Sequence, residues 1–284
     1  MIDLQAKAWT DALKAGLGAE SLPLPGAQRG WMVCFRAGPF RVAYPDFPIG
    51  SQELDDAVVS EWSGVARGLK ADLMRIQAPH ELADARVFAR HRLGSVVIAD
   101  LGRWRESQWE KARRAANRQA RSALQIRAGR REDGAQLHQL YLSTLRRHGG
   151  AARYSREYFE AIAPQAATVA VLDGSVCGFV CAGIRGDRAC YMHGAHLPEA
   201  RAHYPSDQLF LSMLRAARDA GARHFDFLPS PAWQDGLIAY KRAWGGTQVA
   251  AVVSDLALNP LRARGFALAL KLANGLSALG LRKP

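Results

Sequence analysis

Cysteine is scarce in this sequence, and its four residues form no recognisable metal-binding pattern. They are Cys34, Cys177, Cys181 and Cys190 in a chain of 284 residues. Their spacing fits neither a zinc site nor the disulfide framework of a small secreted domain. We therefore expect buried, reduced thiols rather than a Cys177–Cys181 bridge. No cluster of carboxylates is evident either, so no metal site is predicted.

Long apolar runs are also missing. No stretch reaches the roughly 20 apolar residues that a membrane-spanning helix needs. Residues 1–18 contain Asp3 and Asp11 and have the pattern of an amphipathic helix, without the uninterrupted apolar segment of a signal peptide. The sequence therefore predicts a cytoplasmic protein.

Several motifs that carry well-understood chemistry are absent. The sequence has no G-x-x-x-x-G-K-[ST] phosphate loop, no G-x-S-x-G elbow, no H-E-x-x-H, and no G-x-G-x-x-G after a strand. These absences argue against P-loop nucleotidases, α/β-hydrolases, zinc proteases and dinucleotide-binding enzymes.

What the sequence does have is positive charge in an ordinary globular composition. Hydrophobic residues make up 49% and charged residues 23%, and 38 Lys and Arg outnumber 26 Asp and Glu, for a formal net charge of +12. Such a field attracts anions, including nucleic acid, coenzyme phosphates and acidic membrane surfaces. A merely solvated basic surface is the alternative.

The periodicity of apolar residues predicts an α/β protein with an antiparallel meander. A hairpin is expected at 31–43 and a helix at 54–69, opened by Ser51. The second half reads as strands and helices in the order strand 168–172, strand 177–184, strand 189–195, helix 206–221, strand 224–228, helix 235–244 and strand 247–255.

An arginine-rich segment precedes this second half. Residues 107–123 are predicted to form a helix, on which Arg114, Arg118 and Arg121 share one stripe because side chains three and four residues apart align. Arginine forks suit phosphates, and each such contact would make binding salt-dependent. A solvated helix face remains the alternative.

The segment 261–284 is basic and rich in Leu and Ala, with no acidic residue. A basic amphipathic helix can lie on an anionic membrane or dock on its own protein. Docking is favoured here, because Gly265, Gly275 and Gly280 weaken an isolated helix.

Three short motifs occur in a characteristic order. They are Tyr191-Met-His-Gly-Ala195, Phe225-Asp-Phe227 and the segment Gly236–Gly246, which reads GLIAYKRAWGG. Together with the Arg-rich helix, they resemble the Fem-like (FemAB-type) branch of the GNAT acyltransferase superfamily. That family has a Y-x-H-G-A strand, an F-D-F/L strand and a G-L-x-x-F-K-x-x-F-G-G segment in this order.

The resemblance implies two GNAT-like units in tandem, each a mixed, mostly antiparallel sheet flanked by helices. It places the N-terminal unit at 1–106, the acyltransferase unit at 107–256 and a basic tail at 257–284. It also implies transfer of an activated carbonyl to an amine acceptor, a small molecule or a peptide. Family members use aminoacyl-tRNA, whereas relatives use acyl-CoA. The chain lacks the long coiled-coil insertion of full-length Fem proteins, so peptidoglycan is in doubt as the acceptor.

Amide formation needs a deprotonated amine, a stabilised oxyanion and a firm hold on the donor's phosphates. Lys241, in the family's F-K place, is predicted to serve the oxyanion or the phosphates, unless it is a surface lysine. Asp226 is the candidate base, with a helix cap or an arginine pair as the alternative. His193 is also a candidate catalytic residue, although a hydrogen-bonded core histidine is the favoured alternative. Tyr240 could return a proton to the leaving group or simply pack against its neighbours.

The substrate-binding residues are predicted to be Arg114, Arg118, Arg121, Arg242 and Tyr191. The loop Arg201–Asp207 stands where many GNAT enzymes have a glycine-rich pyrophosphate loop, and it has no glycine. This favours aminoacyl-tRNA over acyl-CoA as the donor. A degenerate GNAT domain that binds nucleic acid, or touches the inner face of the membrane through 261–284, is the third hypothesis.

Overall fold

A computed structural model describes residues 1–26, 30–51, 54–230 and 234–278, with side chains through residue 272 in the last segment. The end of the predicted basic tail, including Arg282 and Lys283, lies outside this range. Within it the chain forms twelve strands and eight α-helices. In the described part of the chain, no helix is long and apolar enough to cross a bilayer.

The helices are α1 (Lys7–Leu17), α2 (Asp56–Gly68), α3 (Glu110–Gln119), α4 (Gly134–His148), α5 (Arg156–Ala166), α6 (Pro205–Asp219), α7 (Asp235–Arg242) and α8 (Pro260–Ala278). The strands are β1 (Ile2–Asp3), β2 (Glu20–Pro23), β3 (Trp31–Ala37), β4 (Phe40–Pro45), β5 (Leu73–Ala78), β6 (Val87–Ile98), β7 (Gln125–Ala128), β8 (Ala167–Leu172), β9 (Ser175–Arg185), β10 (Arg188–His196), β11 (His224–Asp226) and β12 (Thr247–Ala257).

The chain divides into two compact α/β units, each made of discontinuous segments. One comprises residues 1–17, 93–148 and 152–250, and the other comprises 18–92, 149–151 and 251–284. We call them the large unit and the small unit. The sequence predicted domains that are continuous in the chain, with boundaries at 106 and 256. These boundaries remain a prediction.

The sheet of the large unit is mixed and mostly antiparallel. Its order is β6-β11-β10-β9-β8-β7, with β10–β11 parallel and β1 added in parallel beside β9. β9 is buried along most of its length, as expected for a central strand covered on both faces. Helix α6 buries Leu209, Leu211 and Leu214 against it, and α4 and α5 pack on the same strand. The predicted meander and fold class are confirmed.

The small unit has a sheet of order β2-β3-β4-β5-β12, in which only β4–β5 is parallel among the described strands. The predicted hairpin corresponds to β3 and β4. Helix α2 buries Val59, Trp62 and Ala66 in this unit's core. Its first turn differs from the prediction: Asp55 is the N-cap, because its carboxylate accepts from the amide of Val58 at 2.8 Å, and Ser51 lies outside the helix.

The Arg-rich helix is shorter than predicted. Helix α3 ends at Gln119 instead of residue 123, since a turn at 120–121 and a short irregular segment precede β7. It buries only Ala112 and Ala115, so small residues bring it close to the core while its polar face stays outside. Arg121 therefore lies beyond the helix and does not share a helical stripe with Arg114 and Arg118.

Candidate functional site

Strands β10 and β11 part in the middle of the large unit. They pair in parallel over only three residues, from Arg188↔His224 to Cys190↔Asp226. β11 ends there, whereas β10 continues to His196 along β9. Beyond Asp226 no β11 residue pairs with β10, so the two strands no longer lie side by side. Their separation opens a space at this end of the sheet. The aromatic rings of Phe210, Tyr191 and Tyr240 line it, with Phe210 lying 5.1 Å from Tyr191 and 5.4 Å from Tyr240 between ring centroids.

A bulge in β10 decides which side chains face this space. Tyr191 lies opposite Ala182, and His193, two residues later, lies opposite Cys181. One extra residue thus reverses the alternation of the strand, so Tyr191 and His193 point to opposite faces. Tyr191 packs against Phe210 of α6, whereas His193 lies among the rings of α4 and α5.

One cavity, which we call the basic cleft, has a volume of about 740 Å³. It lies between α3, the start of α6 and the end of α7. Two carboxylates, of Glu110 and Asp207, face five cations there: Lys111, Arg114, Arg118, Arg201 and Arg242. This excess of positive charge suits a polyanion.

The second cavity, which we call the inner pocket, measures about 260 Å³. It lies at the strand separation, and Tyr191, Phe210, Tyr240 and Lys241 line it. Thr144, Arg147 and His148 close its other side from the end of α4. The two cavities adjoin, since His196, Arg201 and Ser206 line both.

Lys241 is buried, with 4% of its surface exposed. Its ammonium donates to the carbonyl of Leu228 at 2.8 Å and to the hydroxyl of Ser230 at 2.7 Å. Burial lowers its pKa to about 8, which still leaves it mostly charged at pH 7. A lysine has three N–H donors, and two of them are used by described residues. The third can serve a ligand in the inner pocket.

Asp226 is not among the described residues that line either cavity. Its carboxylate accepts from the hydroxyl of Ser95 at 2.6 Å and from the amide of Leu228 at 2.8 Å. Leu228 has a left-handed backbone with φ of 58°, which costs roughly 1–2 kcal/mol for such a residue. A hydrogen bond to a carboxylate contributes about 1.5–3 kcal/mol and offsets this. Asp226 thus holds the turn that offers the Leu228 carbonyl to Lys241, and its predicted role as a base stays a prediction.

Tyr240 connects the inner pocket to the basic cleft. Its hydroxyl donates to Asp207 at 3.2 Å, and its ring lies 4.4 Å from the ammonium of Lys111. Burial raises the pKa of Tyr240, so the phenol keeps its proton at neutral pH. A proton donor fits this state, and a base does not.

His193 sits in an aromatic cluster away from the cavities. Its Nε2 shares a hydrogen bond of 2.9 Å with the hydroxyl of Tyr158, and its ring lies 4.4 Å from that of Tyr154. Burial lowers the pKa of His193 to about 3, which keeps the imidazole neutral. This arrangement favours the core-histidine alternative over catalysis.

His196 was missed by the sequence reasoning. It lies at the end of β10 and lines both cavities. Its Nδ1 shares a 2.9 Å hydrogen bond with Ser206, while burial, together with the charges of Arg147 and Arg201, lowers its pKa. A neutral imidazole at pH 7 can accept a proton. Regular alternation from Tyr191 points to His193, and only the bulge transfers the position to His196.

Of the five residues predicted to bind substrate, four line one of the two cavities. Arg114, Arg118 and Arg242 line the basic cleft and Tyr191 lines the inner pocket, whereas Arg121 is not among the described lining residues. The Gly-Gly end of the GLIAYKRAWGG segment also has a clear purpose. Gly245 has a φ of 98°, and a Cβ there would lie 2.5 Å from the ring of Trp109, so only glycine lets Trp109 reach the cleft wall.

Comparison with known families places these features. Residues 105–242 match the model of the acetyltransferase (GNAT) domain family. The assignment identifies the chain as an acyltransferase. No curated protein sequence matches the chain.

Solved structures share the fold of the whole chain. The crystal structure of FemX has a TM-score of 0.61 at 15% identity, covering 91% of this chain and 93% of FemX. The C-terminal domain of a putative lysylphosphatidylglycerol synthetase from Agrobacterium fabrum has a TM-score of 0.62 at 19% identity, covering 95% and 92%. L-PGS from Bacillus licheniformis has a TM-score of 0.56 at 14% identity, covering 93% and 96%. At these identities the likeness shows the fold, and the predicted Fem-like GNAT architecture is confirmed.

Both cavities are lined almost wholly by the GNAT domain. The basic cleft extends one residue beyond the matched range, to Ala243. The start of α6 is where the domain family often has its glycine-rich loop, and this chain has Tyr204 there with a φ of 54° followed by Pro205. A proline lacks the amide that an anion would need. An anion at this helix start would therefore depend on the basic side chains around it.

His193 makes the stability of the GNAT domain depend on pH. Its pKa in the folded chain, about 3, is below the 6.5 of an exposed histidine. Between these two pH values the histidine is protonated in the unfolded chain and neutral in the folded chain. This contribution is complete above pH 6.5 and is lost as the pH falls toward 3. Between pH 7 and pH 5 we expect the free energy of unfolding to fall by up to about 2 kcal/mol.

Chemical denaturation of the wild type and of His193→Gln at both pH values measures this contribution. The variant should lose most of that part of the pH dependence. His80→Gln, at an exposed position, controls for the loss of one imidazole. An unchanged dependence in His193→Gln would contradict the interpretation.

Proposed function

We propose that the protein is an N-acyltransferase that moves an aminoacyl group from aminoacyl-tRNA onto an amine and forms an amide. The observation that carries this is the adjoining pair of cavities: a large, strongly basic cleft continues into a small pocket with a buried cation and a protonated phenol. A polyanionic carrier fits the first and its activated carbonyl fits the second. The fold shared with FemX and with lysylphosphatidylglycerol synthetase domains, whose name specifies an aminoacylated product, supports an aminoacyl donor.

The reaction needs one attack and one departure. The amine nitrogen attacks the ester carbonyl carbon, and its proton passes to a base, for which His196 is the neutral candidate at the junction of the cavities. The developing oxyanion is stabilised by the charged Lys241. The ester C–O bond then breaks, and the departing ribose oxygen takes a proton, which Tyr240 can supply. The phenolate regains its proton from the imidazolium through solvent.

Two cations are available for the carrier's phosphates. Lys111 and Arg118 pair with Asp207, and Arg114 pairs with Glu110. Arg201 and Arg242 have no acidic partner among the described residues. They therefore attract a phosphate without first breaking an ion pair.

A donor assay tests the function. Incubation with mixed aminoacyl-tRNAs and a panel of amines should deacylate tRNA only when an amine is present and should yield a new amide. Arg242→Ala should raise the donor KM several-fold and reduce the salt slope of binding by about one unit. Arg36→Ala, an exposed arginine of the small unit, is the matched control.

No transfer from any aminoacyl-tRNA, together with transfer from acetyl-CoA or a longer acyl-CoA, would replace the proposed donor by acyl-CoA. No transfer from either class would leave a GNAT domain that only binds its ligands.

Lys241 is the most direct test of the mechanism. Lys241→Met keeps the volume of the side chain but removes the charge, and we expect kcat to fall about 10²- to 10³-fold with little change in the donor KM. In the wild type, kcat at saturating amine should decline above pH 8, because Lys241 loses its charge there. Lys14→Met, at an exposed lysine of α1, is the control. A folded Lys241→Met variant with wild-type kcat would exclude the oxyanion role.

A second candidate property, contact with an anionic membrane, is favoured by α8. Its inner face packs in the small unit, with Ala263 and Phe266 buried. Its outer face exposes Leu261, Leu268 and Leu272, at 78%, 60% and 61%. These leucines lie seven and four residues apart and so share one side of the helix. Arg264 and Lys271 are exposed on the same helix, and a like-charged second copy would be repelled.

Co-sedimentation with phosphatidylglycerol vesicles tests this contact. The full chain should bind, and Leu261, Leu268 and Leu272 changed together to Gln should abolish binding. Arg264→Gln with Lys271→Gln should weaken it on anionic vesicles only. Leu22→Gln, at an exposed leucine elsewhere, is the control. Equal sedimentation of the leucine variant and the wild type would refute membrane contact through α8.

A further inference from the structure

We propose that Asp207 is a specificity-determining residue: it is an internal anion at the start of α6 that excludes a diphosphate from the inner end of the basic cleft. The inference rests on the proposed function, because it concerns which donor carrier the cleft accepts. Asp207 is the third residue of α6, in the turn whose amides favour negative charge. Its side chain is only 11% exposed although it lines the cleft.

Three groups donate to this one carboxylate. The ammonium of Lys111 lies 2.9 Å from Oδ1, the guanidinium of Arg118 lies 3.1 Å from Oδ2, and the hydroxyl of Tyr240 lies 3.2 Å from Oδ1. Aromatic rings also contact both cations: Lys111 lies 4.4 Å from the centroid of Tyr240, and Arg118 lies 3.7 Å from that of Tyr204. The two cations nearest the helix are therefore paired with one carboxylate and held before any ligand arrives, which halves the positive charge that they offer to a ligand.

This arrangement replaces a ligand phosphate by a protein carboxylate. A helix start with two cations beside it is a good anion site, but here the site already contains an anion. A diphosphate placed there would meet Asp207 at close range and would have to displace it from Lys111 and Arg118. The cations without a described acidic partner, Arg201 and Arg242, lie elsewhere on the cleft wall. Carrier phosphates are thus directed to these two, which suits singly charged phosphodiesters better than a compact diphosphate.

Binding of inorganic pyrophosphate and of coenzyme A to Asp207→Asn tests the proposal by calorimetry. Removing the carboxylate frees Lys111 and Arg118, so we expect both affinities to rise at least tenfold. Glu110→Gln is the matched control, because it removes the same charge from the cleft but frees only Arg114 at an exposed position. It should raise the affinities less than threefold. A purely structural role for Asp207 would lower both affinities or leave them unchanged, and either result overturns the proposal.

A second measurement does not depend on the folding of an Asp207 variant. In the wild-type background, Lys111→Met should lower pyrophosphate affinity less than Arg242→Ala does, because the ammonium of Lys111 is already paired with Asp207, whereas Arg242→Ala should lower it several-fold. Equal losses in the two variants would overturn the proposal. The donor assay is separate: a tenfold gain in Asp207→Asn without transfer from aminoacyl-tRNA would refute the proposed function and leave this inference standing.

Discussion

The short parallel pairing of β10 and β11 is the constraint on which the rest of the site depends. Three residue pairs join the strands, and after Asp226 the chain turns away through the left-handed Leu228. The turn is held by the carboxylate of Asp226, and its carbonyl holds Lys241. The same turn therefore ends the pairing of the strands and positions the buried ammonium of Lys241. The inner pocket exists because β10 continues where β11 stops.

Charge in the site is arranged in two zones. Near the core, each cation has a fixed partner: Lys241 binds a carbonyl and a hydroxyl, and Lys111 and Arg118 share Asp207. Toward solvent, Arg201 and Arg242 have no acidic partner in the described part of the chain. Buried charges need compensation, whereas exposed ones are stabilised by water and remain available. This difference leaves the outer two cations available to an anionic ligand, whereas the inner ones are already paired.

Much of the fold could be predicted from periodicity. The hairpin of β3 and β4, the meander of β8, β9 and β10, and the helix after it all follow from apolar alternation and turn residues such as Asp173-Gly174. The ends of helices and strands were harder to predict than their existence. Helix α3 stops four residues early because a turn begins at Ala120, and no local signal in an alanine- and arginine-rich stretch marks that end.

Many residues of the site could be predicted from the sequence, but their arrangement in space could not. The sequence alone determined a basic α/β chain with a Fem-like motif order, and it pointed to Lys241, Tyr240 and the Arg114–Arg118 pair, because residue type and spacing are local properties. Only the tertiary structure decided that His196 rather than His193 reaches the pocket, that Asp226 supports a turn, and that Asp207 occupies the start of α6. One inserted residue in β10 reverses which face each side chain takes, and an ion pair between Lys111 and Asp207 joins residues almost a hundred positions apart. Such facts arise from register and long-range contact, which no local pattern encodes.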